Sequence, residues 1–124
     1  MTVARTVELF SKVPDGKRFQ AGETVFSEGD AGTEMYGIIE GTVAMQVDGK
    51  TVETIKAGDV FGEGALVNPD KLRRSTALAL TDCQLAVLDE ERFKFLITNT
   101  PMFALEVMRS YSDRLRHFKH PQGN

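Results

Sequence analysis

Residues 61–67 read Phe-Gly-Glu-Gly-Ala-Leu-Val, and the basic run Lys-Leu-Arg-Arg follows at residues 71–74. The small residues of the first run allow a tight turn in which successive backbone N–H groups point into one concavity and bind an anion. An arginine of the second run can contact the same anion through its planar guanidinium. Glu63 would instead accept hydrogen bonds from hydroxyl groups beside that anion. Together these groups predict a ribose phosphate site; the alternative is a glycine-rich loop with a solvated basic patch.

Turn-forming residues precede that stretch at close intervals. Ten of the 11 glycines lie between residues 16 and 64, and they separate short apolar segments. Such a pattern is typical of an antiparallel sandwich or barrel. The strongest turn signal is Asp48-Gly49, which predicts a hairpin. Strands are predicted at 42–47, 50–55, 77–80 and 84–88.

Helical spacing replaces this pattern after residue 88. Asp89 is placed to cap a helix that carries two glutamates in its first turn and buries Phe93, Leu96 and Ile97. Thr100-Pro101 is a second start signal, because proline fits the first position of a helix. The sequence therefore predicts C-terminal helices at about 90–118, a β-roll at about 17–88 and a shorter N-terminal helix at 4–11.

Length and composition limit the class of protein. A chain of 124 residues with 41% hydrophobic and 27% charged residues is enough for one globular domain, spanning 1–124. The net charge of −3 indicates neither a nucleic-acid nor a membrane partner. Cys83, the single cysteine, excludes an intramolecular disulfide framework. No apolar run approaches the ~20 residues of a membrane span, so we expect a cytoplasmic domain.

The order of several motifs resembles that of cyclic nucleotide-binding domains, as found in bacterial catabolite activator proteins and protein kinase A regulatory subunits. The resemblance is carried by residues 61–66, here named the cassette, by Arg73, and by the segments 26–30, 35–43, 55–63 and 81–85. It covers nearly the whole chain. It implies a mainly β fold with flanking helices, an antiparallel β-roll or jelly roll (double-stranded β-helix). The implied ligand is cyclic AMP, with cyclic GMP as the alternative, and the implied role is that of a stand-alone sensor whose C-terminal helix responds to the ligand.

The resemblance also implies roles for individual residues. In the family the cassette glutamate, here Glu63, accepts from the ribose 2′-hydroxyl, and an arginine, here Arg73, neutralises the cyclic phosphate. Two departures from the family pattern are the bulky Arg74, where a small or hydroxylic residue is usual, and Gly64, where an apolar residue is usual. A register shifted by one residue would make Arg74 and Ser75 the phosphate pair. The expected ligand-binding residues are Gly62, Glu63, Gly64, Ala65, Arg73, Arg74 and Ser75.

The sequence gives little support to other nucleotide-binding motifs, to a metal site or to a catalytic site. Residues 58–67 contain neither G-x-x-x-x-G-K-S/T nor G-x-G-x-x-G. The only histidines, His117 and His120, lie at the C-terminus, so neither a metal site inside the roll nor a cofactor is expected. Cys83 has no histidine nearby in sequence to activate it, and no triad or carboxylate pair is recognisable. We expect no enzymatic activity.

A second function stays open beside the sensor. Arg74 and Gly64 would then be signs of decay in a binding-incompetent member of the fold that serves as a protein-interaction or regulatory scaffold. Only six residues follow Phe118, too few for a winged helix, so we expect no DNA binding and an unknown output partner. An apolar seam in the last helix suits another helix or the open mouth of the roll; it is formed by Ala104, Met108, Tyr111, Leu115 and Phe118. We predict a weak, ligand-sensitive homodimer through this seam, and core packing within the same chain is the alternative.

Overall fold

Eight strands and three helices make up the part of the chain that the computed structural model describes, residues 16–119. The strands are β1 (Gly16–Phe19), β2 (Thr24–Phe26), β3 (Glu34–Glu40), β4 (Thr42–Val47), β5 (Lys50–Lys56), β6 (Val60–Phe61), β7 (Thr76–Ala79) and β8 (Cys83–Asp89). The helices are α1 (Gly64–Val67), α2 (Glu90–Asn99) and α3 (Pro101–Lys119). Two four-stranded antiparallel sheets, ordered β1-β8-β3-β6 and β2-β7-β4-β5, form the predicted β-roll with flanking helices. The helix predicted at 4–11 lies outside the described residues.

The Asp48-Gly49 hairpin forms as predicted. Both residues have positive φ, 52° and 79°, as in a type I′ turn whose twist matches that of the flanking strands. The register runs from Val47 opposite Lys50 to Thr42 opposite Lys56. Because β7 pairs with the other side of β4, this hairpin leaves β5 at the edge of its sheet.

The apolar sequence of β8 reflects burial on both of its faces. Leu85 and Val87 face the core between the sheets, whereas Ala86 and Leu88 pack in a second cluster beneath the C-terminal helices. The strand also lies between β1 and β3, so both of its edges are hydrogen-bonded. It extends one residue beyond the prediction at each end, and β7 begins and ends one residue earlier than predicted. In β7 the reason is that Leu80 turns outward and is 46% exposed.

Both helix starts predicted after residue 88 are confirmed. The Asp89 carboxylate accepts a hydrogen bond from the backbone N–H of Arg92 at 2.9 Å, which caps α2. Pro101 begins α3, as the Thr100-Pro101 signal predicts. The predicted face of α2 packs against the second cluster but is only half-buried; it consists of Phe93, Leu96 and Ile97.

The predicted seam of α3 is only partly on the surface. Ala104 is half-buried, and the Tyr111 hydroxyl bonds to the cassette instead of facing outward. The reason is that α3 packs on the roll through Phe103, Val107 and Ser110, which turns this side of the helix inward. The large apolar side chains that stay exposed on α3 are Met102, Leu105, Met108, Leu115 and Phe118.

A pair of glycine substitutions separates backbone strain from steric exclusion. Gly41 and Gly22 both have positive φ, 102° and 93°. A Cβ at Gly41 would lie 2.5 Å from the Asp82 carbonyl oxygen and 2.6 Å from Cys83 Sγ, whereas a Cβ at Gly22 would meet nothing within 4 Å. We expect Gly41→Ala to lower the free energy of unfolding by about 2–5 kcal/mol and Gly22→Ala by only about 1–2 kcal/mol, measured by urea denaturation. Equal losses would contradict the close approach at Gly41.

Candidate functional site

A cavity of about 340 Å³ lies between the cassette, the edge of the roll and α3. Its volume falls in the range of small-molecule sites, roughly 300–1,000 Å³. Six of the seven residues expected to bind ligand line it, namely Gly62, Glu63, Gly64, Arg73, Arg74 and Ser75. The seventh, Ala65, is buried in α1 and does not line the cavity.

Arg73 places a buried positive charge in the cavity wall. Its side chain donates from Nη1 to the Gly62 carbonyl at 2.9 Å and from Nη2 to the Glu34 carbonyl at 2.8 Å. The guanidinium carbon lies 4.0 Å from the centre of the Phe26 ring, and the residue is only 6% exposed. Desolvation lowers the pKa of Arg73, although an arginine stays charged in proteins. Its Nε is buried and has no hydrogen-bond partner within residues 16–119, so one donor of this charged group is unsatisfied in the structure.

The loop between β2 and β3 holds Arg73 in this position. The Arg73 N–H donates to the Asp30 carbonyl at 2.7 Å, and the Gly29 N–H donates to the Arg73 carbonyl at 2.8 Å. Gly32 lies against the guanidinium, since a Cβ there would come within 2.4 Å of Arg73 Nε. Glycine is therefore required at position 32 by close approach and not by backbone conformation.

Arg74 takes a different direction. Its Nη2 lies 3.0 Å from Asp70 Oδ2, and its side chain is 59% exposed at the rim of the cavity. The pKa of Asp70 is lowered, first by the hydrogen bond from the Leu72 N–H and then by the contact with Arg74. Of the two adjacent arginines, Arg73 is thus the buried one.

Two side chains of α3 complete the cavity wall. The Tyr111 hydroxyl donates to Glu63 Oε1 at 2.7 Å. Burial, and next the charge of Glu63, raise the pKa of Tyr111 well above its ordinary value, so the hydroxyl keeps its proton. Arg114 pairs with Glu53, with Nε 2.6 Å from Oε2 and Nη2 3.2 Å from Oε1, and it also donates to the Val60 carbonyl. Its guanidinium carbon lies 4.5 Å from the centre of the Tyr111 ring.

Four residues of this site were not predicted from the sequence as site residues, or were predicted in another role. Gly32 carried a signal, because it belongs to a turn-rich segment, but nothing in the sequence tied it to Arg73. Glu53 and Arg114 are 61 positions apart and match no local motif. Tyr111 has the spacing of the apolar seam, and only its contact with Glu63 shows the other use of its hydroxyl.

Within residues 16–119 the structure shows neither a metal-binding cluster nor a membrane-spanning helix. No group of three histidine, cysteine, aspartate or glutamate side chains there could hold a metal ion. None of the helices in that range is both long enough and apolar enough to cross a membrane.

The geometry of this site can now be compared with known proteins. A sequence profile of the family described as "Cyclic nucleotide-binding domain" matches residues 16–100. The chain belongs to the cyclic nucleotide-binding domain family. The recognition based on the cassette and its neighbouring motifs is therefore confirmed.

Relatives of this cyclic nucleotide-binding domain are regulatory proteins of greater length. The chain is 37% identical over 93 residues to the cAMP-dependent protein kinase regulatory subunit of Schizosaccharomyces pombe, covering 74% of this chain and 21% of that protein. It is 35% identical over 79 residues to the cGMP-dependent protein kinase egl-4 of Caenorhabditis briggsae, covering 64% of this chain and 10% of that protein. The chain thus spans a minor part of the length of both relatives.

Solved structures confirm the fold. The catabolite activator protein of Thermus thermophilus superposes with a TM-score of 0.75 at 25% sequence identity, covering 95% of this chain and 57% of that one. The predicted antiparallel β-roll with flanking helices is therefore the fold of this family member.

Proposed function

We propose that this domain is a regulatory sensor that binds a cyclic nucleotide, with cyclic AMP as the preferred ligand, and that it has no catalytic role. The observation that carries the proposal is the buried guanidinium of Arg73. Within residues 16–119 it contacts two backbone carbonyls, and its Nε has no partner. A buried charge without a counter-charge is costly, and a cyclic phosphate supplies the missing anion.

The other cavity residues have roles consistent with this ligand. The Glu63 carboxylate accepts a hydrogen bond from the ribose 2′-hydroxyl. The backbone N–H group of Gly62 in the cassette and the Ser75 hydroxyl supply neutral donors around the phosphate, whereas Ala65 lies outside the cavity and its N–H donates to the Gly62 carbonyl at 3.4 Å. Phe26 packs against the guanidinium of Arg73 and keeps water from it. The site then neutralises the phosphate charge and reads the sugar with separate groups.

The scaffold alternative is weakened by the positions of the two unusual residues. Arg74 lies against Asp70 and is 59% exposed, so its bulk points toward solvent and does not fill the cavity. A Cβ at Gly64 would come within 2.9 Å of Asn68 Nδ2, so the glycine makes room for the Asn68 amide. Neither departure closes the cavity, and this supports a competent site.

Substitution of the two arginines tests the proposed phosphate contact. Arg73→Ala should weaken cyclic AMP binding by about 2–5 kcal/mol, because the phosphate charge loses its buried counter-charge. Glu63→Ala should cost about 1.5–3 kcal/mol, the value of one charged hydrogen bond. Arg74→Ala, the matched control, should cost less than about 1 kcal/mol, because its ion pair is exposed. Calorimetry on nucleotide-free protein measures all three, and parent-like binding by Arg73→Ala would refute the assignment.

A glycine variant tests the same contact without changing any charge. Gly32→Ala should displace the guanidinium and weaken binding by at least about tenfold, since the new Cβ would overlap Arg73 Nε. Gly16→Ala serves as control, because its Cβ would meet only the Leu85 carbonyl oxygen at 3.5 Å, an ordinary contact. Unchanged binding by Gly32→Ala would mean that ligand binding does not depend on the position of the Arg73 guanidinium.

Competition between the two nucleotides tests the preference for cyclic AMP. Arg74 has only donors and is engaged by Asp70, so it cannot accept a hydrogen bond from the guanine amino group. Phe118 is half-exposed at the end of α3, beside Arg114, and offers apolar cover that disfavours the more polar guanine edge. We expect a preference of roughly tenfold for cyclic AMP, about 1–2 kcal/mol. Tighter binding of cyclic GMP would contradict this proposal.

We also propose a weak homodimer through α3, sensitive to ligand. Its surface is the exposed part of the predicted seam together with Leu105, because Tyr111 is engaged in the cavity. Met108→Glu should abolish any concentration-dependent dimer in sedimentation velocity experiments. Leu80→Glu, on an exposed apolar residue outside the helices, should not. A parent protein that stays monomeric at high concentration, with and without cyclic AMP, would exclude the dimer.

A further inference from the structure

Glu63 and Tyr111 line two cavities at once. Besides the nucleotide cavity, they face a second, apolar one of about 350 Å³ between α1, α2 and α3. Apolar side chains from the roll and all three helices form the rest of this second cavity, among them Met35, Leu66, Phe93 and Val107. The hydrogen-bonded pair of Tyr111 and Glu63 therefore lies between the nucleotide cavity and the apolar cavity.

The Tyr111 hydroxyl orients the carboxylate that is proposed to read the ribose. It donates to Oε1 at 2.7 Å, a charge-assisted hydrogen bond, and leaves Oε2 as the acceptor for a ligand hydroxyl. Glu63 stands between Gly62 and Gly64, so its sequence neighbours have no side chains that could hold its rotamer. A long side chain gives up rotamer entropy when it is ordered, and Tyr111 orders this one before any ligand contact.

Arg114 in turn holds Tyr111. It lies three positions further along α3, contacts the Tyr111 ring and is anchored on β5 and β6 through Glu53 and the Val60 carbonyl. The side chains of Arg114 and Glu53 are only 13% and 16% exposed, which limits screening of this ion pair by solvent. The position of the hydroxyl therefore depends on the docking of α3 against the edge of the roll.

We propose that Tyr111 is a positioning residue for ribose recognition, and that preference for a ligand with a 2′-hydroxyl depends on the docked pose of α3. The inference rests on the proposed function, because it needs a ribose at Glu63. It makes the helix part of the recognition of the sugar, although α3 need not touch the sugar itself. A movement of α3 would therefore change the preference for a ligand with a 2′-hydroxyl.

A pair of ligands that differ in one hydroxyl isolates this effect. Cyclic AMP and 2′-deoxy cyclic AMP are titrated against the parent and against Tyr111→Phe, which keeps the ring. We expect Tyr111→Phe to bind cyclic AMP about three- to tenfold more weakly and the deoxy ligand with unchanged affinity. If Tyr111→Phe weakens the binding of both ligands equally, Tyr111 has only a structural role. If the variant binds cyclic AMP more tightly, Tyr111 competes with the ribose for Glu63. Either outcome overturns the inference. A parent that binds neither ligand would refute the proposed function itself.

A second pair of variants tests the dependence on α3 without changing Tyr111 or Glu63. Arg114→Gln should lower the affinity ratio between cyclic AMP and its deoxy analogue by about three- to tenfold, because the helix loses its anchor. Arg116→Gln is the matched control, since Arg116 is 66% exposed and pairs with Asp113 on its own helix. The ratio compares two ligands on one protein, so a general loss of stability leaves it unchanged. An unaltered ratio in Arg114→Gln would overturn the link to α3.

Discussion

The burial of the Arg73 guanidinium is the constraint on which the rest of the site depends. Two backbone carbonyls, from Gly62 and Glu34, satisfy its terminal nitrogens, and they come from the cassette and from β3. Its backbone is bonded to the loop that precedes β3. The cassette and the segment from Gly29 to Glu34, which are distant in sequence, must therefore meet at one side chain. The burial of this charge, with one donor left without a partner within residues 16–119, costs free energy that an anion would offset.

A second pair of contacts joins this site to the C-terminal helix. Both carboxylates of the cavity, Glu63 and Glu53, are bound by side chains of α3, namely Tyr111 and Arg114. A ligand shifts a conformational equilibrium only by its differential affinity for the two states. Here such a difference has a physical origin, because the group proposed to contact the ribose also contacts the helix. A structural link of this kind is what a regulatory domain needs in order to report occupancy to a partner.

The relatives of this chain include regulatory subunits and kinases that are several times longer. A fold alone does not establish a function, which depends on the residues placed around the cavity. In this chain the sugar and the phosphate are proposed to be read by different groups, Glu63 and Arg73, that sit on one short turn and the segment following it.

The sequence alone determined the features that depend on local backbone preference and on motif order. Asp48-Gly49 specifies its turn because both residues tolerate positive φ, and Asp89 and Pro101 mark helix starts through contacts within one turn. Only the tertiary structure decided which face of α3 turns inward, and hence that Tyr111 bonds to Glu63, 48 positions away, instead of joining a surface seam. It likewise decided that Gly32 meets the Arg73 guanidinium. Periodicity and turn signals report the conformation of neighbouring residues, whereas these contacts depend on how the helix and the loops pack against the roll.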